Sequence, residues 1–368
     1  MQNHKKIVFI NINAYPCAIG GIEVFNHYLI NELSKTHNIH VLTSCDKIDY
    51  KNAVIHYIKE LKFRKFTQPL LIFIYLFKNR KSIKFIHVSY ARSYWTHSFI
   101  YVIAKKVLGL KYMTTIHGGG LSQWNPQWAY KLFFKHAKSI TAVSDRIIKE
   151  YAKRSNRDDL IFTPPLVPFT IIPTKDKYRE KWSIKSDEIV LLYVGSIKPL
   201  KAVDSLIEAL NLLTKEKIEK AKLKVLIAGD GISRKELQKR VNELNLNDNV
   251  RFLGNISREE VPELYNLANL YTICSEFEGL PVSLLEAFAN NLPCITSDAP
   301  GLNNVSENNK NSLQFKTRNS LEYSKKIERL LNDSELQDKL KNNASKYYQT
   351  HFSYDKLVND FKNIMDKI

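Results

Sequence analysis

Apolar runs of strand length, each closed by a turn and followed by a helical pattern, recur along the chain and restrict it to an α/β architecture. In the first half they are Lys5–Ile12 (KKIVFINI), Ile39–Ser44, Val54–Ile58, Ile83–Ser89, Tyr112–Ile116 and Ser139–Ser144. In the second they are Glu188–Gly195 (EIVLLYVG), Lys224–Gly229, Asn249–Gly254, Leu270–Ser275 and Cys294–Ser297. Strands buried on both faces of a parallel sheet need such near-continuous hydrophobicity. The proline-rich stretch Pro164–Pro173 (PPLVPFTIIP) breaks helix and strand alike, and 368 residues exceed one ordinary core. The organisation this predicts is two doubly wound, Rossmann-like domains, 1–170 and 171–350, followed by a terminal helical segment, 351–368.

The most informative stretch is Ser275–Pro300 (SEFEGLPVSLLEAFANNLPCITSDAP). It sets Glu278 and Glu286 eight positions apart, with Gly279, Leu280 and Pro281 leading into a helical run that begins at Val282. Because the preceding strand ends at Ser275, Glu278 lies on a loop at the strand's carboxyl end and Glu286 about a turn inside the helix. That edge of an open parallel sheet is where ligands bind. An uncapped helix start offers N–H groups and a partial positive charge to a phosphate, and a carboxylate accepts from two neighbouring sugar hydroxyls. Loop and helix glutamates are more often simply solvated. Glu286, however, sits within LLEAFA, where an unpaired charge is costly. The stretch reads as a grip for a sugar joined to a phosphate.

Three further places have matching chemistry. Gly20 and Gly21 stand at a loop-to-helix junction, where backbone can approach a ligand closely. His117 ends a strand and is followed by three glycines, so its imidazole faces an uncrowded crevice. Gly195, Ser196 and Lys201 belong to a strand–loop–helix segment that forms a diphosphate cradle with lysine as its point charge. Each pattern alone is common, and a lone histidine is usually a structural hydrogen bonder.

Taken together these residues resemble a known family. Glu278-x7-Glu286 within EGLPVSLLEAFANNLPCITSD is similar to the signature of the retaining GT-B glycosyltransferases of family 4, which move a sugar from a nucleotide-diphosphate donor. GGIE resembles that family's N-terminal glycine loop, and His117-Gly118 its donor-sugar contact. GSIKPLKA resembles its G-R-x-x-x-x-K-G segment, with Ser196 in place of the arginine and Ala202 in place of the glycine. Leu166 and Val167 stand where relatives carry asparagine and glycine. The resemblance implies two domains facing across a cleft, the first on the acceptor side, the second on the donor side, and a C-terminal helix crossing back to the first. It implies transfer with retention, with His117, Lys201 and Glu278 as catalytic residues. Gly20, Gly21, Ser196, Lys201, Glu278, Gly279, Leu280, Pro281, Val282 and Glu286 would bind the donor. No cofactor and no obligatory metal are implied, and UDP-sugars are expected ahead of GDP-sugars. The acceptor class implied is a glycan or a lipid-linked saccharide, in bacterial surface polysaccharide synthesis. A sugar-nucleotide epimerase or a phosphorylase shares the fold but not this carboxylate pattern. A basic binding protein of the same fold, weak or inactive in catalysis, is the competing class.

The formal charge of +18 calls for an anionic partner. No nucleic-acid module is recognisable, so no nucleic-acid partner is expected. Leu61–Phe85 interleaves Lys62, Arg64, Lys65, Lys78, Arg80, Lys81 and Lys84 with aromatic and aliphatic residues. It suits either a helix packed on the sheet with a solvated basic rim or a helix lying in an anionic lipid interface, and the resemblance favours the second. The N-terminus is too short in apolar residues for a secretion signal, and Pro69–Phe77 falls far short of a membrane span. The expected location is the cytoplasm, peripherally on the inner face of the membrane. Cys17, Cys45, Cys274 and Cys294 form no CxxC pair, so neither a zinc site nor a disulfide is expected.

Overall fold

The computed structural model describes residues 5–18, 21–59, 62–90, 95–118, 127–164 and 175–368. Two compact units emerge, one of residues 1–168 with 354–368, the other of residues 169–353.

The first unit is built on seven strands: β1 (Lys6–Ile10), β2 (Ile39–Thr43), β3 (Val54–Tyr57), β4 (Ile83–Tyr90), β5 (Lys111–Ile116), β6 (Ser139–Ala142) and β7 (Ile161–Phe162). They pair in parallel in the order β3-β2-β1-β4-β5-β6-β7. Helices α1 (Gly21–Leu33), α2 (Arg64–Asn79), α3 (Trp95–Leu108), α4 (Gln127–His136) and α5 (Asp145–Ser155) connect them. Val8, Ile86 and Tyr112 pack with Ile72 and Leu76 of α2, Val102 of α3 and Phe133 of α4, so these helices cover one face of the sheet. Ile7, Phe9, Val41 and Phe85 point the other way, against Phe25 and Leu29 of α1.

The second unit begins with α6 (Lys175–Lys181) and β8 (Ile189–Val194), and a 3-10 turn (Pro199–Lys201) leads into α7 (Val203–Leu212) and α8 (Lys215–Lys220). Next come β9 (Leu223–Ala228), α9 (Arg234–Glu243), β10 (Val250–Gly254), α10 (Val261–Leu267), β11 (Leu270–Ile273) and α11 (Val282–Ala289). The unit closes with β12 (Cys294–Ser297), β13 (Leu313–Phe315), α12 (Ser320–Asn332) and α13 (Ser334–His351). Its six strands are parallel in the order β10-β9-β8-β11-β12-β13. The last helix, α14 (Tyr354–Asp366), belongs to the first unit, where Leu357, Val358, Phe361 and Met365 are buried beside α1.

Both units are thus doubly wound, as the run of apolar segments predicts. The cysteines depart from expectation: a disulfide joins Cys17 to Cys45, with Cα atoms 5.8 Å apart. Cys17 lies in the loop after β1 and Cys45 just past β2, and adjacent parallel strands end side by side. A sequence separation of 28 conceals that proximity. Cys274 and Cys294 are free and buried.

Candidate active site

In the second unit the strand order reverses between β8 and β11, whose connections leave toward opposite edges of the sheet. Two of the residues singled out by sequence, Lys201 and Glu278, come from the loops after these two strands. Lys201 Nζ and Glu278 Oε1 are 2.6 Å apart, and Ser275 Oγ donates to the same carboxylate oxygen at 2.6 Å. Both side chains are largely screened from water, so removing either would leave the other's charge uncompensated.

Backbone contacts hold this geometry. Glu276 N–H donates to Leu200 O at 2.9 Å and Cys274 Sγ to Lys201 O at 3.3 Å, tying the two loops together below the pair. Glu278 N–H donates to Pro300 O at 3.0 Å, and Gly301 lies so close that a Cβ there would come within 1.9 Å of Glu278 O. The neighbouring loop follows the same rule, since side chains at Gly229 and Gly231 would strike Gly195 O and Ile197 O. Gly301 was not found from sequence. Its only signal there is a glycine directly after the proline that ends the acid-bearing stretch.

Ala202 explains one departure from the family segment. Its backbone is left-handed, at φ +51°, a conformation that glycine adopts without penalty and alanine at a cost of about 1 kcal/mol. Ala202 is fully buried, so its methyl group offsets part of that cost by packing. Ser196 contributes its carbonyl to the Tyr193 hydroxyl at 3.1 Å, and Lys198, two positions on, is exposed.

Pro281 precedes α11 and no side chain caps that helix. The start of α11 presents the positive end of its dipole to the Glu278 loop, with Val282 N–H turned to Leu280 O at 3.0 Å and Leu284 N–H to Pro281 O at 3.1 Å. Gly279 has no heavy atom within 4 Å of where a Cβ would stand, so the approach to the loop is open. Leu280 is half-buried against the unit's core and Pro281 is buried. One turn into α11, Glu286 accepts from the Tyr265 hydroxyl at 2.9 Å. Burial pushes its carboxyl up to about 7, against the opposing pull of that hydrogen bond and of Arg258.

The remaining predicted residues lie in the first unit. His117 follows β5, its N–H bound to Tyr90 O at 2.9 Å and its ring set edge-on to Phe25 at 4.6 Å. Its Nε2 is out of contact with solvent and has no partner, and burial pushes the imidazole down to about 3, so it is neutral at physiological pH. Gly21 opens α1, and Gly20 lies outside the described residues, as do Gly119, Gly120, Leu166 and Val167. A buried polar chain near the ends of β1 and β4 was not foreseen. Ser89 Oγ donates to Asn26 Oδ1 (2.6 Å), Asn26 to Asn11 Oδ1 (3.0 Å) and Asn11 to the Tyr50 hydroxyl (3.1 Å). It anchors the helix that begins at Gly21 to the two central strands. Among the described residues no group of three or more histidine, cysteine or acidic side chains is arranged to hold a metal ion.

Comparison with known proteins accounts for both units. The family described as Glycosyl transferases group 1 matches residues 174–347, and Glycosyltransferase Family 4 matches residues 19–167. The chain belongs to the family 4 glycosyltransferases. A curated relative of this glycosyltransferase is N-acetyl-alpha-D-glucosaminyl L-malate synthase of Bacillus anthracis, 26% identical with 96% of each chain covered. Among solved structures, a glycosyltransferase from Rickettsia africae superposes with a TM-score of 0.81 at 18% identity, covering 99% of this chain and 98% of that one. Anabaena HepE in complex with UDP gives 0.77 at 16%, covering 99% and 100%. These likenesses identify the fold as GT-B.

Proposed function

We propose that this glycosyltransferase moves a hexosyl group from a nucleoside-diphosphate sugar, UDP ahead of GDP, to a glycan or lipid-linked acceptor, with retention at the anomeric carbon and no required metal. The role we assign it is bacterial surface polysaccharide synthesis, performed at the inner face of the membrane. The carrying observation is the Lys201–Glu278 pair at the switch point of the second sheet, beside the uncapped start of α11. Support for the base comes from HepE, which was crystallised with UDP.

In this reading a bound donor takes the place of the pair's mutual contact. Lys201 turns to the diphosphate, joined by N–H groups of α11 around Val282, while Glu278 accepts hydrogen bonds from hydroxyls of the donor sugar. Ser196, Gly279, Leu280 and Pro281 shape the same pocket, and Glu286 accepts from the ribose diol. When the bond from the anomeric carbon to the diphosphate breaks, its electron pair stays on phosphate oxygen, an acceptor hydroxyl oxygen bonds to that carbon, and the hydroxyl proton passes to the departing diphosphate. Lys201 and the helix start hold that charge in place, a pre-organised electrostatic role. His117, neutral and with a free ring nitrogen, serves the reacting sugar, and Gly20 and Gly21 let the backbone of the first unit approach the substrates.

The test is a panel of UDP- and GDP-sugars, read by thermal stabilisation and by slow release of free diphosphate, with and without chelator. A UDP-sugar is expected to stabilise the protein and to be hydrolysed in chelator, and Glu278→Gln to lower turnover by about a hundredfold or more. No stabilisation and no release across the panel would overturn the reading in favour of a non-catalytic binding protein.

A further inference from the structure

Tyr265, on α10, is fully buried, and its hydroxyl lies 2.9 Å from Glu286 Oε2 and 2.9 Å from Ser283 O. Its ring is held beside that of Tyr271 of β11, with centroids 5.7 Å apart. A phenylalanine would fill the same space without burying a polar atom, so packing alone does not account for the hydroxyl. Both of its acceptors belong to α11, the helix that begins at the Glu278 loop.

The hydroxyl has one hydrogen to give and two acceptors within reach. When Glu286 is ionised, the charged oxygen draws that hydrogen and Ser283 O goes without it. When Glu286 is protonated, its O–H donates to the Tyr265 oxygen and Tyr265 donates on to Ser283 O, which completes the chain of three. Burial favours the second state and holds the carboxyl up at about 7, while the Tyr265 hydrogen bond and then the charge of Arg258 draw it back toward ionisation. The titratable groups gathered here are Tyr265 from α10, Arg258 from the turn before α10, Tyr271 from β11 and Cys294 from β12, with Tyr347 of α13 beyond Phe288. Glu286 is half-buried rather than sealed, which leaves its proton a route to solvent.

We propose that Tyr265 is a positioning residue for the donor site: its hydroxyl holds Oε2 of Glu286, leaves Oε1 to the ribose diol, and passes its single hydrogen from Ser283 O to the carboxylate when a donor binds and the carboxyl proton is lost to solvent. This rests on the reading above in which Glu286 accepts from the ribose. The diol brings two hydrogens to a carboxylate that the empty site keeps largely protonated, so donor binding is coupled to proton release. Tyr265 sets the pH at which that coupling operates, because a hydrogen bond to the charged form is stronger than one to the neutral form.

The first measurement needs no donor. The carboxyl carbon of Glu286 is followed by NMR against pH in protein carrying isotopically labelled glutamate, its resonance assigned by its loss in Glu286→Gln. The wild-type midpoint is expected near pH 7, and Tyr265→Phe is expected to raise it by about one pH unit. Fluorotyrosine placed at position 265, a stronger donor of nearly the same shape, is expected to lower the midpoint and carries the test if the phenylalanine variant melts early. The second measurement is calorimetric titration with UDP-sugar. Tyr265→Phe is expected to weaken Kd about ninefold at pH 6 and less than about twofold at pH 9. The wild type should release about half a proton on binding at pH 7, read from the binding enthalpy in two buffers of different ionisation enthalpy. A merely structural tyrosine would cost affinity equally at both pH values. A midpoint unmoved in both variants, or an equal loss at pH 6 and pH 9, overturns the proposal. A midpoint that responds to Tyr265 in a protein that binds no nucleotide sugar refutes the donor reading on which the proposal rests, whereas a donor whose pH dependence survives Tyr265→Phe refutes this inference alone.

Discussion

Glu286 carries its charge in surroundings that resist it, and this gives the proposed donor site a pH dependence. Its carboxyl is raised from the ordinary value near 4.5 to about 7 by desolvation. The folded protein therefore binds a proton there that the unfolded chain has released. Stability from this group is fully present below pH 4.5 and is lost as pH rises through 7, on the order of 3 kcal/mol. Donor binding runs the opposite way if the carboxylate must accept from a diol. The competent form is about a tenth of the population at pH 6 and about nine tenths at pH 8, so UDP-sugar Kd should tighten about ninefold across that interval. Calorimetry at the two pH values checks this, and Glu286→Gln should abolish the dependence while weakening binding at pH 8. His117 should add no transition between pH 5 and 9, its imidazole being neutral throughout. At this scale sequence singled out candidate residues and was silent about how they meet. The spacing of Glu278 and Glu286 and the apolar flanks of Glu286 were legible. The Lys201–Glu278 contact was not, because it joins positions 77 residues apart through strands whose adjacency no local pattern encodes.

Between elements, the loops that bear the pair are held by a residue from a third. Arg318, itself left-handed at φ +66°, donates to Glu276 and Asp204, and to Pro199 O at 3.1 Å. It thereby clamps the turn before Lys201 to the loop before Glu278, without belonging to the acid-bearing motif. Exposed ion pairs add little stability, so Arg318→Ala should lower the unfolding free energy by only about 1 kcal/mol. Its effect on donor binding should be larger, about tenfold or more in Kd, because both loops proposed to hold the donor lose their common brace. Arg318→Lys, which supplies charge without the planar fork, should recover only part. Urea midpoints and donor titration of the same variants check the split, and equal losses in both would mean that Arg318 is merely structural. Most strands were legible element by element, since apolar runs and turn residues are local, but β7 and β13, two and three residues long, were too short to be read. The order β10-β9-β8-β11-β12-β13 was not written locally, nor was the approach of Gly301 to Glu278, since both arise from how crossovers wind around the sheet. The segment holding α2 was recognisably basic and amphipathic, but only the folded unit shows that one apolar face is buried and a second is left outside.

Over the whole molecule, the chain builds the first unit, completes the second, and returns to the first with α14. Phe361 is fully buried in that return, with its ring centroid 6.3 Å from that of Phe25 and 5.6 Å from that of His87. Phe25 in turn packs edge-on to His117. The terminal helix thus supports the aromatic stack on which the predicted sugar-facing histidine rests, and the cost of disturbing it should fall on one unit. Phe361→Ala removes a buried ring and should destabilise the first unit by about 3–5 kcal/mol. Hydrogen exchange read by mass spectrometry should accelerate in β1, β4 and α1 while β8, β11 and α7 keep their protection. Stabilisation of the second unit by UDP-sugar should persist, since Lys201, Glu278 and Glu286 all lie there. Turnover should fall further than affinity, because His117 loses its support while the donor-gripping residues keep theirs. Equal acceleration of exchange in both units would show that they unfold as one body, and the assignment of α14 to the first unit alone would then fail as an account of stability.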